Sequence, residues 1–234
     1  NEGQYNQDFH NSIWQIFAPH IFSNDAYKSS CSGGASHVTV SGYPSCEEFF
    51  YTGFEDVWKN QNKVKKRIIW APHHTIETDE LPLSNFLRYS TLFVELVKNT
   101  RDSIQWAFKP HPVLKSKLYL HKDWGIEKTN LYYDFFANFG STQLEVGEYA
   151  ALFQQSDAMI HDSGSFLAEY LYLKKPVAYT VKVTNYKDYY NEFGKEALDC
   201  VTIVESWDGV VAFVDRVLDG DSAIKKEHLD FLIK

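Results

Sequence analysis

The chain has 234 residues and a mass of 27.1 kDa, with 44% apolar, 23% charged and 16% aromatic residues; this is core material for one large domain and excludes a peptide module or a disordered chain. Lys plus Arg is 23 against 31 Asp plus Glu, giving a formal charge of −8 and a pI near 5.6, which argues against a general nucleic-acid scaffold. No apolar run approaches the ~20 residues that span a bilayer, no signal peptide is read, and Cys31, Cys46 and Cys200 form no C-x-x-C and read as reduced thiols of a cytoplasmic protein.

In chain order, residues 1–36 are polar and aromatic without a clean period. NSIWQIFAPHIF (11–22) reads as a short helix and SSCSGGA (29–35) as a loop. HVTVSGYP (37–44) reads as a strand and turn, and CEEFFYTGFEDVWK (46–59) has apolar residues at helical spacing. KRIIWAP (66–72) is a buried strand, preceded by the solvated run KVKKR at 63–67 and followed by a loop through Pro82. SNFLRYSTLFVELVKNT (84–100) is a strong amphipathic helix, with Ser84 or Asn85 as N-cap. SIQWAFKPHP (103–112) is a strand entering a Pro-bounded loop, and a helical and irregular stretch follows to about Gly140. STQLEV is a strand, EYAALFQQS a helix, DAMIHDSGS a strand and polar turn, FLAEYLYLKK a helix, PVAYTV and CVTIVES strands, and WDGVVAFVDRVLDG the last clear helix. The alternation predicts an α/β fold: a Rossmann-like parallel sheet with helices on both faces. Residues 1–36 are expected to be a linker or N-terminal fragment and 37–234 the domain. The chain begins at Asn1 rather than Met and is expected to be part of a longer protein.

In a doubly wound sheet, ligands bind beyond the carboxyl ends of the strands, so the residues after each strand are the candidates: Gly42-Tyr43-Pro44, Pro72-His73-His74, Lys109-Pro110-His111-Pro112, Asp162-Ser163-Gly164-Ser165, and Lys182. Asp162 to Ser165 join a strand to a helix start, where unpaired amides, a positive dipole end and two hydroxyls suit a diphosphate, and Gly164 lets a ligand approach the backbone. Glu169, one turn on, stands where ribose hydroxyls could be bound; the same segment also fits an ordinary capped helix. His73 and His74 suit a base, a phosphate donor or a metal ligand. Adjacent histidines on an extended chain point apart, so the pair is not expected to chelate one ion, and no H-E-x-x-H supports zinc. No metal or cofactor is expected. His111 sits between two prolines, a rigid turn that would hold its ring, with Lys109 flanking it. LYYDFFANF (131–139) reads as packing. P-loop, dinucleotide and hydrolase-elbow motifs are absent from the sequence.

Taken in order, these loops resemble the C-terminal half of the CDP-glycerol glycerophosphotransferase family, the teichoic-acid polymerase type, which has the GT-B fold. VSGYP looks like the family's G-x-P segment, RIIWAPHH like the strand ending in A-P-T-W, and AFKPHP like R-x-H-P. The stretch ALFQQSDAMIHDSGSFLAEYLYLKKPVAY (151–179) looks like L-x-x-S-D-x-x-I-T-D-Y-S-S with its following acidic residue and L-x-x-P-x-x-x-Y. Asp162, Ser165, Glu169 and His111 match positions that line the family's donor cleft. Gly164 stands for a Ser, His161 for Thr, Lys109 for Arg, and His73-His74 for Thr-Trp.

The resemblance implies a transferase that moves a phosphoglycerol or glycosyl group from a nucleotide-diphosphate donor to a hydroxyl of a cell-surface polymer or glycolipid. It implies that this chain is the donor-binding half. His111 and His73 would be catalytic, with Lys109, Asp162, Ser163, Gly164, Ser165 and Glu169 on the nucleotide and its phosphates. The acceptor and its activating base would belong to a missing N-terminal domain, and any peripheral association with the inner face of the membrane to the full-length protein. A GT-B nucleotide-sugar epimerase, with acidic catalytic groups in the cleft, and a non-catalytic nucleotide-binding module are the alternatives.

Overall fold

The computed structural model describes residues 5–77 and 80–232, so Thr78 and Asp79 of the expected 73–82 loop lie outside the described residues. The chain forms two compact units, one ending at Thr52 and one beginning at Gly53.

The first unit contains α1 (Asp8–Ser12), β1 (Ile16–Ala18), α2 (Ile21–Ser30) and β2 (Val38–Val40), followed by a 3-10 turn at Pro44–Phe50. β1 and β2 pair in parallel, Ile16 opposite Val38 and Ala18 opposite Val40. The helix expected at 11–22 is therefore a strand followed by a separate helix. Pro19 lies between the two, Ile16 and Ala18 are buried while Phe17 is exposed, which is the period of a strand, and the His20 ring caps α2 by accepting the Ser23 N–H at 3.1 Å. Ser29 and Ser30 are the last helical residues rather than loop. The boundary read from the sequence at 36/37 falls inside this unit, between its two strands.

The second unit is a single parallel sheet wrapped by helices. Its elements are β3 (Lys66–Ala71), α3 (Phe86–Asn99), β4 (Ile104–Phe108), α4 (Leu114–Leu120), α5 (Gly125–Asn138), β5 (Thr142–Leu144), α6 (Ala150–Gln155), β6 (Ala158–His161), α7 (Gly164–Glu169, running into a 3-10 turn at Tyr170–Leu173), β7 (Val177–Thr180), α8 (Glu192–Cys200), β8 (Thr202–Val204), α9 (Trp207–Leu218) and α10 (Lys226–Phe231). The six strands lie in the order β5-β4-β3-β6-β7-β8, all parallel. Every residue of β4, β6 and β7 is buried, as expected when helices cover both faces. On one face Trp70 stacks on Phe93 with ring centroids 3.9 Å apart, and Phe108 meets Phe136 at 4.5 Å. Phe136 and Tyr133, from the aromatic run 131–139, are buried in this core, which is the packing role expected of them.

Residues 46–59 do not form the expected helix. The 3-10 turn ends at Phe50, and from Glu55 to Lys59 three glutamine side chains take up the backbone. Gln155 bonds Glu55 O and Val57 N, Gln143 bonds Val57 O and Lys59 N, and Gln105 bonds Lys59 O, at 2.7–3.2 Å. With its N–H and C=O groups satisfied from the sheet side, this segment has no need of helical hydrogen bonds.

Strand order fixes where a ligand crevice opens. From β3 the chain runs outward through β4 to β5, then returns to β6 on the other side of β3 and runs outward to β8. The carboxyl ends of β3 and β6 therefore flank the topological switch point, the place where doubly wound sheets take their ligands.

Candidate functional site

Asp162 ties the loops of the switch point together. It follows β6 directly and is buried to 2% exposure. One carboxylate oxygen accepts the backbone N–H of His73 at 2.5 Å; the other accepts that of Asn85, the residue before α3, at 2.7 Å. Burial pushes its carboxyl up to about 7, against the amide hydrogen bonds, which favour the anion. Both oxygens are thus committed to the protein's own backbone, and Asp162 acts on the β3 loop rather than presenting itself to a ligand.

The β4 loop is drawn to the same place. Lys109 N–H donates to Trp70 O at 2.9 Å and His111 N–H to Pro72 O at 3.0 Å, so the β3–β4 ladder continues past the strands. This sets His111 beside His73 and His74. Ring centroids are 4.2 Å apart for His73–His74, 4.1 Å for His74–His111 and 5.1 Å for His73–His111. The expectation that His73 and His74 point apart is overturned. The backbone is not extended there: Ile76 N–H donates to His74 O at 3.0 Å, a three-residue turn around Thr75. Burial, reinforced by the neighbouring histidines and Lys117, pushes His73 down to about 3. Burial, with His74, Lys117 and Lys109, pushes His111 down to about 4. Burial with Lys117 also lowers His74. All three rings are neutral at pH 7. Nδ1 of His111 accepts the Val113 N–H at 3.1 Å, which puts that ring's proton on Nε2.

The turn at 162–165 enters α7. Ser163 is buried, its N–H donates to His161 Nδ1 at 3.2 Å, and its side chain makes no cap bond. Ser165 is exposed in the first turn of α7. Apart from its chain neighbours and its own helix backbone, a Cβ on Gly164 would meet nothing nearer than the Tyr190 ring and hydroxyl at 3.8 Å. His161 is buried and is pushed down to about 3 by that burial. Glu169 is buried and accepts the Tyr149 hydroxyl at 2.7 Å. Lys109, lowered by burial, donates to Gly147 O at 2.9 Å and lies 5.5 Å from the Tyr149 ring, so Tyr149 links the β4 loop to α7. Tyr179, at the end of β7, donates to Asp162 O at 3.3 Å and meets the Tyr190 hydroxyl at 2.5 Å.

The structure thus brings together His73, His111 and Asp162, with the 163–165 turn following Asp162 and Lys109 and Glu169 joined through Tyr149. Lys182 is exposed beyond β7, and Gly42-Tyr43-Pro44 belongs to the first unit. Sequence reasoning missed Thr75, Lys117, Tyr149, Tyr179 and Tyr190 and gave Asn85 only a capping role. Of these only Tyr179 carried a signal, as the last residue of the 151–179 stretch that carries the resemblance.

No protein-family model matches the sequence, and no curated protein does. Solved structures do. A variant of the wall teichoic acid polymerase TagF matches with a TM-score of 0.62 at 15% identity, over 94% of this chain and 53% of that one. A TagF structure soaked with CDPG gives 0.57 at 17% identity, over 94% and 51%. The UDP-GlcNAc 2-epimerase of Methanocaldococcus jannaschii, in complex with UDP-GlcNAc and UDP, gives 0.52 at 15% identity, over 94% and 58%. The chain spans just over half the length of these structures. At such identities the likeness carries the fold and nothing finer: the chain has the fold of about half of a TagF-like GT-B structure.

Proposed function

We propose that the chain is the donor-binding half of a transferase that moves a phosphoglycerol or glycosyl group from a nucleotide-diphosphate donor, CDP-glycerol in type, to a hydroxyl of a cell-surface polymer or glycolipid. The observation that carries this reading is the joined switch point: Asp162, at the end of β6, holds the backbone of the β3 loop at His73, and the three imidazoles of the β3 and β4 loops meet there. Solved proteins of similar fold, carrying CDPG or UDP-GlcNAc and UDP, add support.

In this reading the 163–165 turn meets the diphosphate through the Gly164 and Ser165 amides and the Ser165 hydroxyl, while the Ser163 N–H stays on His161. Lys109 supplies positive charge. Glu169, oriented by Tyr149, faces the ribose side. His111, with its proton on Nε2, donates a hydrogen bond to the phosphate that leaves with the nucleotide, and His73 steadies the same charge. Asp162 is a positioning residue. The acceptor is held by a further part of a longer protein, through which the whole reaches the inner face of the membrane. A nucleotide-sugar epimerase, which would need an acid open to the sugar, is the second reading; Asp162 has both oxygens on backbone N–H groups and does not supply that acid.

Calorimetry with CDP, UDP, CDP-glycerol and UDP-GlcNAc tests the reading. Binding is expected for at least one cytidine or uridine diphosphate, and Ser165→Ala should weaken it by roughly 1.5–3 kcal/mol, the worth of one hydrogen bond to a charged group. An absence of heat with all four at millimolar concentration would sink it.

A further inference from the structure

His73, His74 and His111 meet more closely than hydrogen bonding to a phosphate requires. One ring nitrogen from each lies within 4.8 Å of the other two. Three nitrogens on one tetrahedral cation stand about 3.4 Å apart, given metal–nitrogen bonds of about 2.0–2.1 Å, so small side-chain rotations close the set. The loops that carry the ligands are stiffened by Pro72, Pro110 and Pro112 and pinned by the His73 and His111 backbone bonds. Nδ1 of His73 faces Thr75 Oγ1 at 3.1 Å, the outer hydrogen bond that fixes an imidazole's tautomer and leaves its other nitrogen for a metal. Nδ1 of His74 is buried with no hydrogen-bond partner among the described residues. Neutral rings offer lone pairs, the form a cation needs. His111 must release the Val113 N–H, which is exposed and can turn to water.

We propose that His73, His74 and His111 hold a divalent transition-metal cation of zinc-like ligand preference, leaving one coordination position open at the carboxyl end of the sheet. Three imidazoles select zinc, cobalt, nickel or copper over magnesium or calcium, which take oxygen ligands. With the cation in place, it rather than the His111 N–H meets a phosphate oxygen. The inference stands on the cluster and not on the donor reading. Lys117 opposes it: its charge acts on all three rings and repels a cation, whereas it would attract an anion. That opposition gives the test its sign.

The chain is titrated with cobalt(II) and followed by visible absorption, then competed with zinc; inorganic phosphate and CDP binding are measured by calorimetry on the same samples. Wild type, His74→Ala, His111→Ala and Lys117→Met are compared, with circular dichroism showing that each is folded. One cobalt per chain with the intense visible bands of a tetrahedral site is expected, displaced by zinc. Its affinity should fall at least about tenfold in each histidine variant and rise in Lys117→Met. No visible bands with wild type, or bands unchanged in both histidine variants, overturns the proposal. Phosphate binding that weakens in Lys117→Met, without cobalt bands, also overturns it and makes the cluster an anion cradle. CDP binding without cobalt bands fails the metal site and leaves the donor reading intact; cobalt bands without nucleotide binding do the reverse.

Discussion

Asp162 holds its proton more tightly in the folded chain than in the unfolded one, because burial raises its carboxyl from 3.8 to about 7. The stabilisation this brings is complete below the unfolded value and is lost as pH rises through about 7. Asp162→Asn removes that titration and also turns an amide NH2 toward one of two backbone donors, His73 N–H or Asn85 N–H, leaving it without an acceptor at a cost of about 1–3 kcal/mol. Wild type should therefore exceed Asp162→Asn in stability at every pH, by more at pH 5 than at pH 8. Urea unfolding at the two values, with a metal chelator present, checks this; an equal difference at both would show that the carboxyl does not titrate in that window. The role was hidden in the sequence for a physical reason. Asp162 at the end of a strand advertises a helix cap or a phosphate site, while its actual partners lie 89 and 77 positions away in the chain. His73 and His111 were placed at strand ends by their position after a buried strand and a proline, but that their rings meet came only with the structure.

At the level of elements, the carbonyls that end α6 are capped from a distance. Lys175 donates to Phe153 O at 3.1 Å, to Gln154 O, and to Ser156 O at 2.6 Å, which satisfies acceptors that a six-residue helix leaves open. Burial lowers the lysine to about 8, so it is still charged at pH 7. Lys175→Met should destabilise the second unit by roughly 1–3 kcal/mol, because partly buried carbonyls lose their donor; denaturant midpoints for the two proteins measure it, and a change within error would mean that solvent replaces the ammonium there. Elements with a long apolar stripe, α3 and α9, were readable at once. α8 was not, because Gly194 weakens helix propensity in its first turn. The structure gives the reason for that glycine: a Cβ at 194 would lie 2.6 Å from Cδ1 of Tyr190, whose hydroxyl meets Tyr179 beneath the site. The helix expected at 46–59 failed for a complementary reason. Its apolar spacing was real, but Gln105, Gln143 and Gln155 lie far along the chain and no local pattern announces that they will claim its backbone.

For the whole molecule, alternation of short apolar strands with helices foretold the parallel sheet, while the order β5-β4-β3-β6-β7-β8 came only with the structure. That order brings His73, His111 and Asp162 to the ends of neighbouring strands and, in the proposed reading, sets the expected limit on activity. Among the described residues, the second unit contains one six-stranded sheet and the first unit's sheet has two strands. Matched structures of this fold run to nearly twice the length of this chain. Transfer between two substrates needs both held in register, and such orientation supplies about 7–11 kcal/mol of a barrier. In the proposed reading, one sheet of this size binds donor without orienting an acceptor hydroxyl against it. We therefore expect these 234 residues to bind a nucleotide diphosphate yet release no nucleotide from CDP-glycerol or UDP-GlcNAc when glycolipid-bearing membranes are supplied as acceptor. A radiolabelled-donor assay on the chain alone checks this. Acceptor-dependent turnover would place a complete catalytic centre within this chain, and the division of labour between a donor half and an acceptor half would have to be abandoned.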